Sequence, residues 1–163
     1  MIKVLKFGGT SVGSAANMKK VAEIVRREQA RITILSAMSG TTDSLVRISR
    51  AAASGDRNAI EEQLAMLTDK YTRCIEELLR ERKQQALARM NATFGLIRDE
   101  AAAFEEYESE RKIIAQGELL TSAIFTAYLR ETGLKAECLY SPDFMVKDPG
   151  EKVDTERIGR ALA

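Results

Sequence analysis

A chain of 163 residues with 45% hydrophobic and 30% charged side chains is long enough for one domain with a real core and has the make-up of an ordinary globular protein. Its net charge of +1, the lack of a membrane-length apolar run and the lack of a signal-peptide pattern argue against nucleic-acid or membrane partners and lead us to expect a cytoplasmic location. Histidine is absent, and Cys74 and Cys138 stand far apart without a CxxC neighbour, which excludes histidine-based nucleophile systems and argues against a metal site or a disulfide framework.

Ile2 to Phe7 reads as an apolar first strand that runs directly into Gly8-Gly9-Thr10-Ser11-Val12-Gly13 and a helix start. Glycine lets the backbone approach a ligand closely, because no Cβ stands in the way. Free amides at the following helix N-terminus favour an anion, and Lys6 at the junction adds a mobile positive charge. Together these are means of holding a phosphate. The spacing departs from both common nucleotide motifs. Thr10 takes the middle glycine place of the dinucleotide fingerprint, and Gly13 is followed by Ser14-Ala15 instead of the Lys-Ser/Thr of a Walker A loop. By itself the segment is also compatible with a tight strand-to-helix turn capped by Ser14.

A helix is predicted from about Ser14 to Glu28, with Met18, Val21, Ala22 and Val25 on one face. Arg31 to Leu35 is a second β-branched run, and Ser36-Ala37-Met38-Ser39-Gly40-Thr41-Thr42-Asp43 a second polar turn before a helix carrying Leu45, Val46, Ile48 and Ser49. Two strand–turn–helix units in succession imply parallel strands joined by right-handed crossovers. Both turns then lie at one edge of the sheet, where open α/β folds bind ligands. Between Asp56 and Phe104 strand signals vanish. Ile60, Leu64, Leu67, Tyr71, Cys74 and Leu78 step by three or four, as do Leu87, Met90, Phe94, Ile97, Ala101 and Phe104. Two such stripes predict an antiparallel helical pair broken around Glu81 to Gln85, with Cys74 in the core. A lid or oligomer contact is the functional reading of this pair; a packed helical excursion is the plainer one.

A third long helix is predicted from about Ser109 to Arg130, with the stripe Ile113, Gly117, Leu120, Ile124 and Tyr128 and with Gln116-Gly117-Glu118 at its middle. Gly133 follows as a C′ residue. Lys135 to Tyr140 reads as a third strand, Ser141-Pro142-Asp143 as a turn, Phe144 to Val146 as a short strand and Asp148-Pro149-Gly150 as a further turn. Asp154 or Thr155 caps a last helix that has barely begun at Ala163, which reads as an interrupted α/β unit.

Without histidine, catalysis falls to carboxylates, lysine, hydroxyls and backbone amides. Phosphoryl transfer suits that inventory, since it depends on positioning and charge neutralisation more than on a strong base. Lys6-Phe7-Gly8-Gly9-Thr10-Ser11-Val12 resembles the N-terminal signature of aspartokinases, within the amino acid kinase superfamily. Leu35-Ser36-Ala37-Met38-Ser39-Gly40-Thr41-Thr42-Asp43 resembles the family's second loop, and Gly117-Glu118-Leu119-Leu120-Thr121-Ser122 its glutamate-bearing helix. The first segment alone is shared with glutamate kinase, acetylglutamate kinase and uridylate kinase relatives; the three in order favour aspartokinase.

The resemblance implies an α/β fold, a parallel-sheet three-layer αβα sandwich of amino acid kinase type. It makes residues 1–163 the N-terminal part of a truncated kinase domain, with 56–104 as a helical-pair insertion. It implies ATP- and Mg²⁺-dependent phosphorylation of the β-carboxylate of L-aspartate to 4-phospho-L-aspartate, the entry to lysine, threonine and methionine, by an enzyme that is homo-oligomeric when intact. Carried over by motif, Lys6 neutralises the transferred phosphoryl group and Gly8 and Gly9 present amides to it. Thr10 and Ser11 border the phosphate pocket, Ser36 and Thr42 hydrogen-bond the aspartate, and Glu118 pairs with its α-ammonium. Taken without the family, Glu118 reads equally as a solvated helix carboxylate, and Ser36 and Thr42 as turn and capping residues. No segment of the chain matches the family's later glycine-rich Arg/Asp segment, its adenine and ribose pocket or its ACT domains. The expectation is that this polypeptide alone has no useful kinase activity. The alternatives are a non-catalytic amino-acid-binding module, another member of the superfamily, or a helical-pair interaction protein.

Overall fold

β1 (Val4–Phe7) and β2 (Ile32–Leu35) pair in parallel in the computed structural model, which describes residues 2–145 and 152–161. Val4 faces Ile32 and Lys6 faces Ile34, so side-chain alternation divides the ribbon cleanly. Leu5, Phe7 and Leu35 turn toward the helices, whereas Val4, Lys6, Ile32 and Ile34 share an exposed face. Parallel strands need a crossover, and α1 (Ala15–Glu28) supplies it. Ser14 caps that helix by accepting a hydrogen bond from the Asn17 amide at 3.2 Å, and Met18, Val21, Ala22 and Val25 are buried as their spacing requires.

Four longer helices carry most of the core. They are α2 (Thr41–Ser54), α3 (Arg57–Leu78), α4 (Lys83–Ala102) and α5 (Glu106–Glu131). α5 packs against both α2 and α4, and α3 packs against α2, α4 and α1. Tyr71, Met90, Phe94, Ile75 and Leu67 fill the α3–α4 seam, with the Tyr71 and Phe94 rings edge-to-face at 5.9 Å. Cys74 is buried in the stripe, and burial pushes its thiol up to about 11. The break between α3 and α4 falls at residues 79–82, slightly earlier than the sequence suggests. It is held from outside: the Glu131 carboxylate at the end of α5 accepts from the amides of Arg80 (2.7 Å) and Arg82 (3.1 Å). Burial raises the Glu131 carboxyl, but the Arg82, Arg80 and Glu81 amides outweigh it and hold the group below the usual carboxylate value. α5 begins at Glu106, a turn earlier than expected, and closes on Gly133 at φ 85°, with the Leu134 amide reaching back to the Leu129 carbonyl at 2.9 Å.

The last third departs from the expected strands. Lys135 to Tyr140 forms no strand, and among the described residues the sheet has two strands only. A strand needs a ladder for its backbone groups. Here the Ala136 carbonyl is taken instead by the Arg130 guanidinium at 2.6 Å, Leu134 and Ala136 lean on the core, and residues 137–140 are exposed. Ser141–Phe144 is a single helical turn, α6, closed by the Met145 amide on the Ser141 carbonyl at 2.7 Å, so Phe144 does not start a strand. Val146 and the Asp148-Pro149-Gly150 turn lie outside the described residues. The short helix α7 (Thr155–Ala161) follows Asp154, whose carboxylate accepts from the Arg157 amide at 2.9 Å, as an N-cap should.

Candidate functional site

The two glycine loops meet at the carboxyl ends of β1 and β2. Gly8 leaves the strand in extended conformation and a 3-10 turn, Gly9–Val12, follows, with the Ser11 amide on the Gly8 carbonyl at 3.0 Å. The Ser36 amide continues the ladder onto the Phe7 carbonyl at 3.1 Å, and the Ser39 amide bonds the Gly9 carbonyl at 3.1 Å. A Cβ on Gly9 would sit 2.8 Å from the Ala37 carbonyl oxygen, closer than real Cβ atoms come, so the contact itself demands glycine. The loops are therefore one backbone-bonded unit, not two neighbouring turns.

Lys6 ends on this unit. Its ammonium donates to the Ser36 hydroxyl at 3.3 Å and lies 3.9 Å from where a Gly8 Cβ would stand. The first amides of the 3-10 turn, on Gly9 and Thr10, precede any intrahelical acceptor. A cation, a hydroxyl and unpaired amides thus gather at an exposed edge, an arrangement that suits a phosphate or carboxylate. Thr10 and Ser11 lie on the exposed part of the turn; the Thr10 carbonyl is tied back by the Asn17 amide group at 2.9 Å. Ser36 serves Lys6 and caps no helix.

Thr42 stands exposed in the first turn of α2, just after Gly40, whose φ of 75° is the left-handed conformation glycine adopts without strain. Glu118 is exposed on α5 and takes no hydrogen bond or ion pair among the described residues. Its neighbour Gly117 explains why it is near the loops at all. A Cβ there would meet Ala37 Cβ at 2.9 Å and Leu45 Cδ1 and Thr41 Cγ2 at 3.1 Å, so glycine lets α5 lie directly on the second loop. The structure unites Lys6, Gly8, Gly9 and Ser36 by direct contact. It brings Thr42 and Glu118 to the same edge only through Thr41 and Gly117.

A buried hydroxyl chain beneath the loop escaped the sequence reading. Thr121 on α5 donates to the Gly117 carbonyl at 2.8 Å and accepts from the Met38 amide at 3.2 Å. With its one proton so committed, Tyr71 donates to Thr121 at 3.2 Å and Thr41 to Tyr71 at 3.3 Å. Burial raises the Tyr71 hydroxyl above its ordinary value, against the lowering pull of Thr121 and Thr41. Lys70 closes the chain from α3, donating to Thr41 Oγ1 at 3.1 Å and to the Ser39 carbonyl. Desolvation lowers the Lys70 ammonium, which is half-buried. Tyr71 sits in an apolar stripe where it reads as core, and nothing in the sequence singles out Lys70 beside it. A tyrosine set in the apolar stripe of α3, and a threonine in the apolar run of α5, were the available signal.

Among the described residues, no group of three or more His, Cys, Asp or Glu comes together to hold a metal ion. No helix among them is long and apolar enough to cross a membrane. A cleft of about 400 Å³ opens between α4, α5 and residues 138–140, lined by Arg82, Arg89, Arg130, Leu119 and Tyr140; it shares no residue with the loops. The loop edge, with its converging cation and amides, is the better site on chemical grounds.

The amino acid kinase family matches the chain over residues 1–163. An aspartokinase of Chlamydia muridarum is 30% identical over 146 residues, covering 89% of this chain and 31% of that protein. The crystal structure of Escherichia coli aspartokinase III with lysine and aspartate (T-state) superposes with a TM-score of 0.87 at 24% identity, over 99% of this chain and 37% of its own. The same enzyme with aspartate and ADP (R-state) superposes at 0.83, also at 24% identity and over the same shares. At that identity the likeness establishes the fold. The chain spans under a third of the length of the curated relatives it matches.

Proposed function

This chain belongs to the amino acid kinase family, and we propose that it is the amino-acid-binding and phosphate-gripping part of an aspartokinase. The observation that carries the reading is the Lys6 ammonium on the Ser36 hydroxyl, where the two glycine loops are bonded into one unit. Support also comes from relatives named as aspartokinases, and from solved neighbours whose complexes hold aspartate and ADP.

The chemistry proposed is phosphoryl transfer to the β-carboxylate of L-aspartate. A carboxylate oxygen bonds to the γ-phosphorus as the bond to the β,γ-bridging oxygen breaks, and that electron pair leaves with ADP. No proton moves, because a carboxylate of pKa about 4 is already ionised near neutral pH. The absence of histidine is then no handicap. What the reaction needs is compensation of negative charge at the meeting point, and ATP brings the phosphoryl group to it. Lys6 and the amides of Gly8 and Gly9 neutralise the transferred group, with Thr10 and Ser11 bordering it. Ser36 and Thr42 donate to the aspartate, and the Glu118 carboxylate, free on a rigid helix, pairs with its α-ammonium. Mg²⁺, when bound with ATP, would be held largely by the phosphate oxygens and water and would supply further charge neutralisation. The part of the family's length beyond this chain supplies the remaining nucleotide contacts, so the polypeptide alone binds aspartate without turning over ATP.

Titration calorimetry of the chain with L-aspartate, L-asparagine and L-glutamate tests this. Saturable binding of L-aspartate that weakens about tenfold in Glu118→Gln, as removal of one charge-assisted contact predicts, supports the reading. Heat indistinguishable from dilution for aspartate, or equal affinity for all three, overturns it. A coupled ADP-release assay that found turnover at ordinary enzymatic rates would overturn the inactivity of the isolated chain.

A further inference from the structure

We propose that Lys70, on α3 and outside both glycine loops, is a positioning residue that holds the second loop, and through it the first, in the arrangement that grips the substrate. Its ammonium donates to the Ser39 carbonyl and to Thr41 Oγ1, the latter at 3.1 Å. Ser39 is also the residue whose amide bonds Gly9 at 3.1 Å, so one residue carries the link to the first loop on its nitrogen and the link to Lys70 on its oxygen. Thr41 opens α2 and immediately precedes Thr42. Lys70 therefore touches both ends of the short Ser39–Thr41 turn from which the candidate hydroxyl of Thr42 is presented.

Among the described residues Lys70 is not part of an ion pair that would explain it otherwise. The adjacent acid, Asp69, pairs with Arg73 along α3, and the Cys74 thiol, a titratable group that acts on Lys70, is kept protonated by burial. A half-buried ammonium without a carboxylate is a costly way to fill space. It is a good way to hold a carbonyl and a hydroxyl, since charge-assisted donors make the stronger hydrogen bonds. The position also places positive charge beside the N-terminus of α2, which a helix on its own disfavours. An acidic substrate at that turn offsets both costs. The effect on substrate rests on the proposed function; the anchoring of the loop does not.

Two readouts on the whole chain separate these parts: amide hydrogen exchange across residues 39–44 of the free protein, and calorimetric affinity for L-aspartate. Lys70→Met is expected to speed exchange across 39–44 by about tenfold or more and to weaken aspartate binding by about tenfold, the loss of a charged hydrogen-bond donor. Lys70→Arg should restore most of both. Lys19→Met, which removes a different lysine tether to α3 on the Glu77 carbonyl, should leave both unchanged. If Lys70→Met fails to fold, Lys70→Gln, which keeps a donor and loses the charge, carries the same readouts. Unchanged exchange in a folded variant overturns the anchor. Faster exchange with unaltered aspartate affinity overturns the positioning role, as does failure of arginine to restore binding. If the unmodified chain binds no aspartate, the proposed function fails; exchange alone then decides whether Lys70 anchors the loop.

Discussion

The glycine-loop edge and the α3–α4 pair are built on opposite terms. The loops hold together through backbone bonds at 3.0–3.1 Å and through glycines whose missing Cβ atoms let strands and turns touch, while the candidate side chains of Lys6, Thr10, Ser11 and Thr42 stay exposed. The helical pair holds together through buried side chains such as Tyr71, Met90 and Phe94 and needs no special backbone. The comparison shows where each can be damaged: the loops by adding one methyl group, the helices by removing several. It also shows that the two are not independent. Tyr71 and Lys70 run from the apolar seam into the polar loop, so the helical pair forms the floor of the site.

The largest expected effect breaks the helical side. Phe94→Ala leaves a cavity against Tyr71 and should lower stability by about 3–5 kcal/mol in urea unfolding, with loop chemistry affected only through the population unfolded. Next comes the loop side. Gly9→Ala forces a Cβ against the Ala37 carbonyl and should cost about 1–3 kcal/mol, while aspartate affinity falls further than stability, since the meeting of the loops is what is displaced. Equal loss of the two would erase the distinction drawn between the regions.

Tyr71→Phe sharpens the junction. It keeps the ring packed and strands Thr41 and Thr121 without their shared partner, so thermal unfolding should report about 1–2 kcal/mol of destabilisation. Faster exchange at the Met38 amide should accompany it. Glu131 offers a smaller, pH-dependent effect. Its carboxyl is held low in the folded chain, so its contribution is present above the unfolded value near 4.5 and is lost as pH falls below it. Glu131→Gln should therefore flatten part of the decline in urea midpoint between neutral pH and pH 3; an unchanged decline would mean the α3–α4 turn does not depend on that carboxylate. Smallest in energy is a labelling contrast. At pH 8 a maleimide should modify exposed Cys138 rapidly and leave Cys74 untouched until the chain unfolds, because burial holds that thiol neutral with a value near 11.

Much of the fold was legible because it is local. The β-branched runs at β1 and β2, the Ser14 cap, the stripes of α1, α3 and α4 and the Gly133 terminus each follow from residues a few places apart, read by period or by cap chemistry. Lys135 to Tyr140 carries the same β-like signal, yet without a ladder partner its groups turn to Arg130 and the segment stays irregular. Propensity describes what a strand is made of and cannot supply its neighbour.

The same division runs through the candidate site. Lys6, Gly8 and Gly9 stand out in the sequence because a strand-to-helix turn that can hold a phosphate uses those residue types together, whereas Ser36, Thr42 and Glu118 stand out only through the resemblance of their segments to the family's. The sequence by itself determined the family, the parallel β1–α1–β2 unit and the inventory of groups at its edge. Only the tertiary structure decided that Gly9 and Gly117 are glycine because other elements press on them, and that Lys70 reaches the loop from a helix 31 residues beyond Ser39. Those are long-range contacts, and a contact across such a distance leaves no periodicity in the chain: it exists only once burial has brought the helices together.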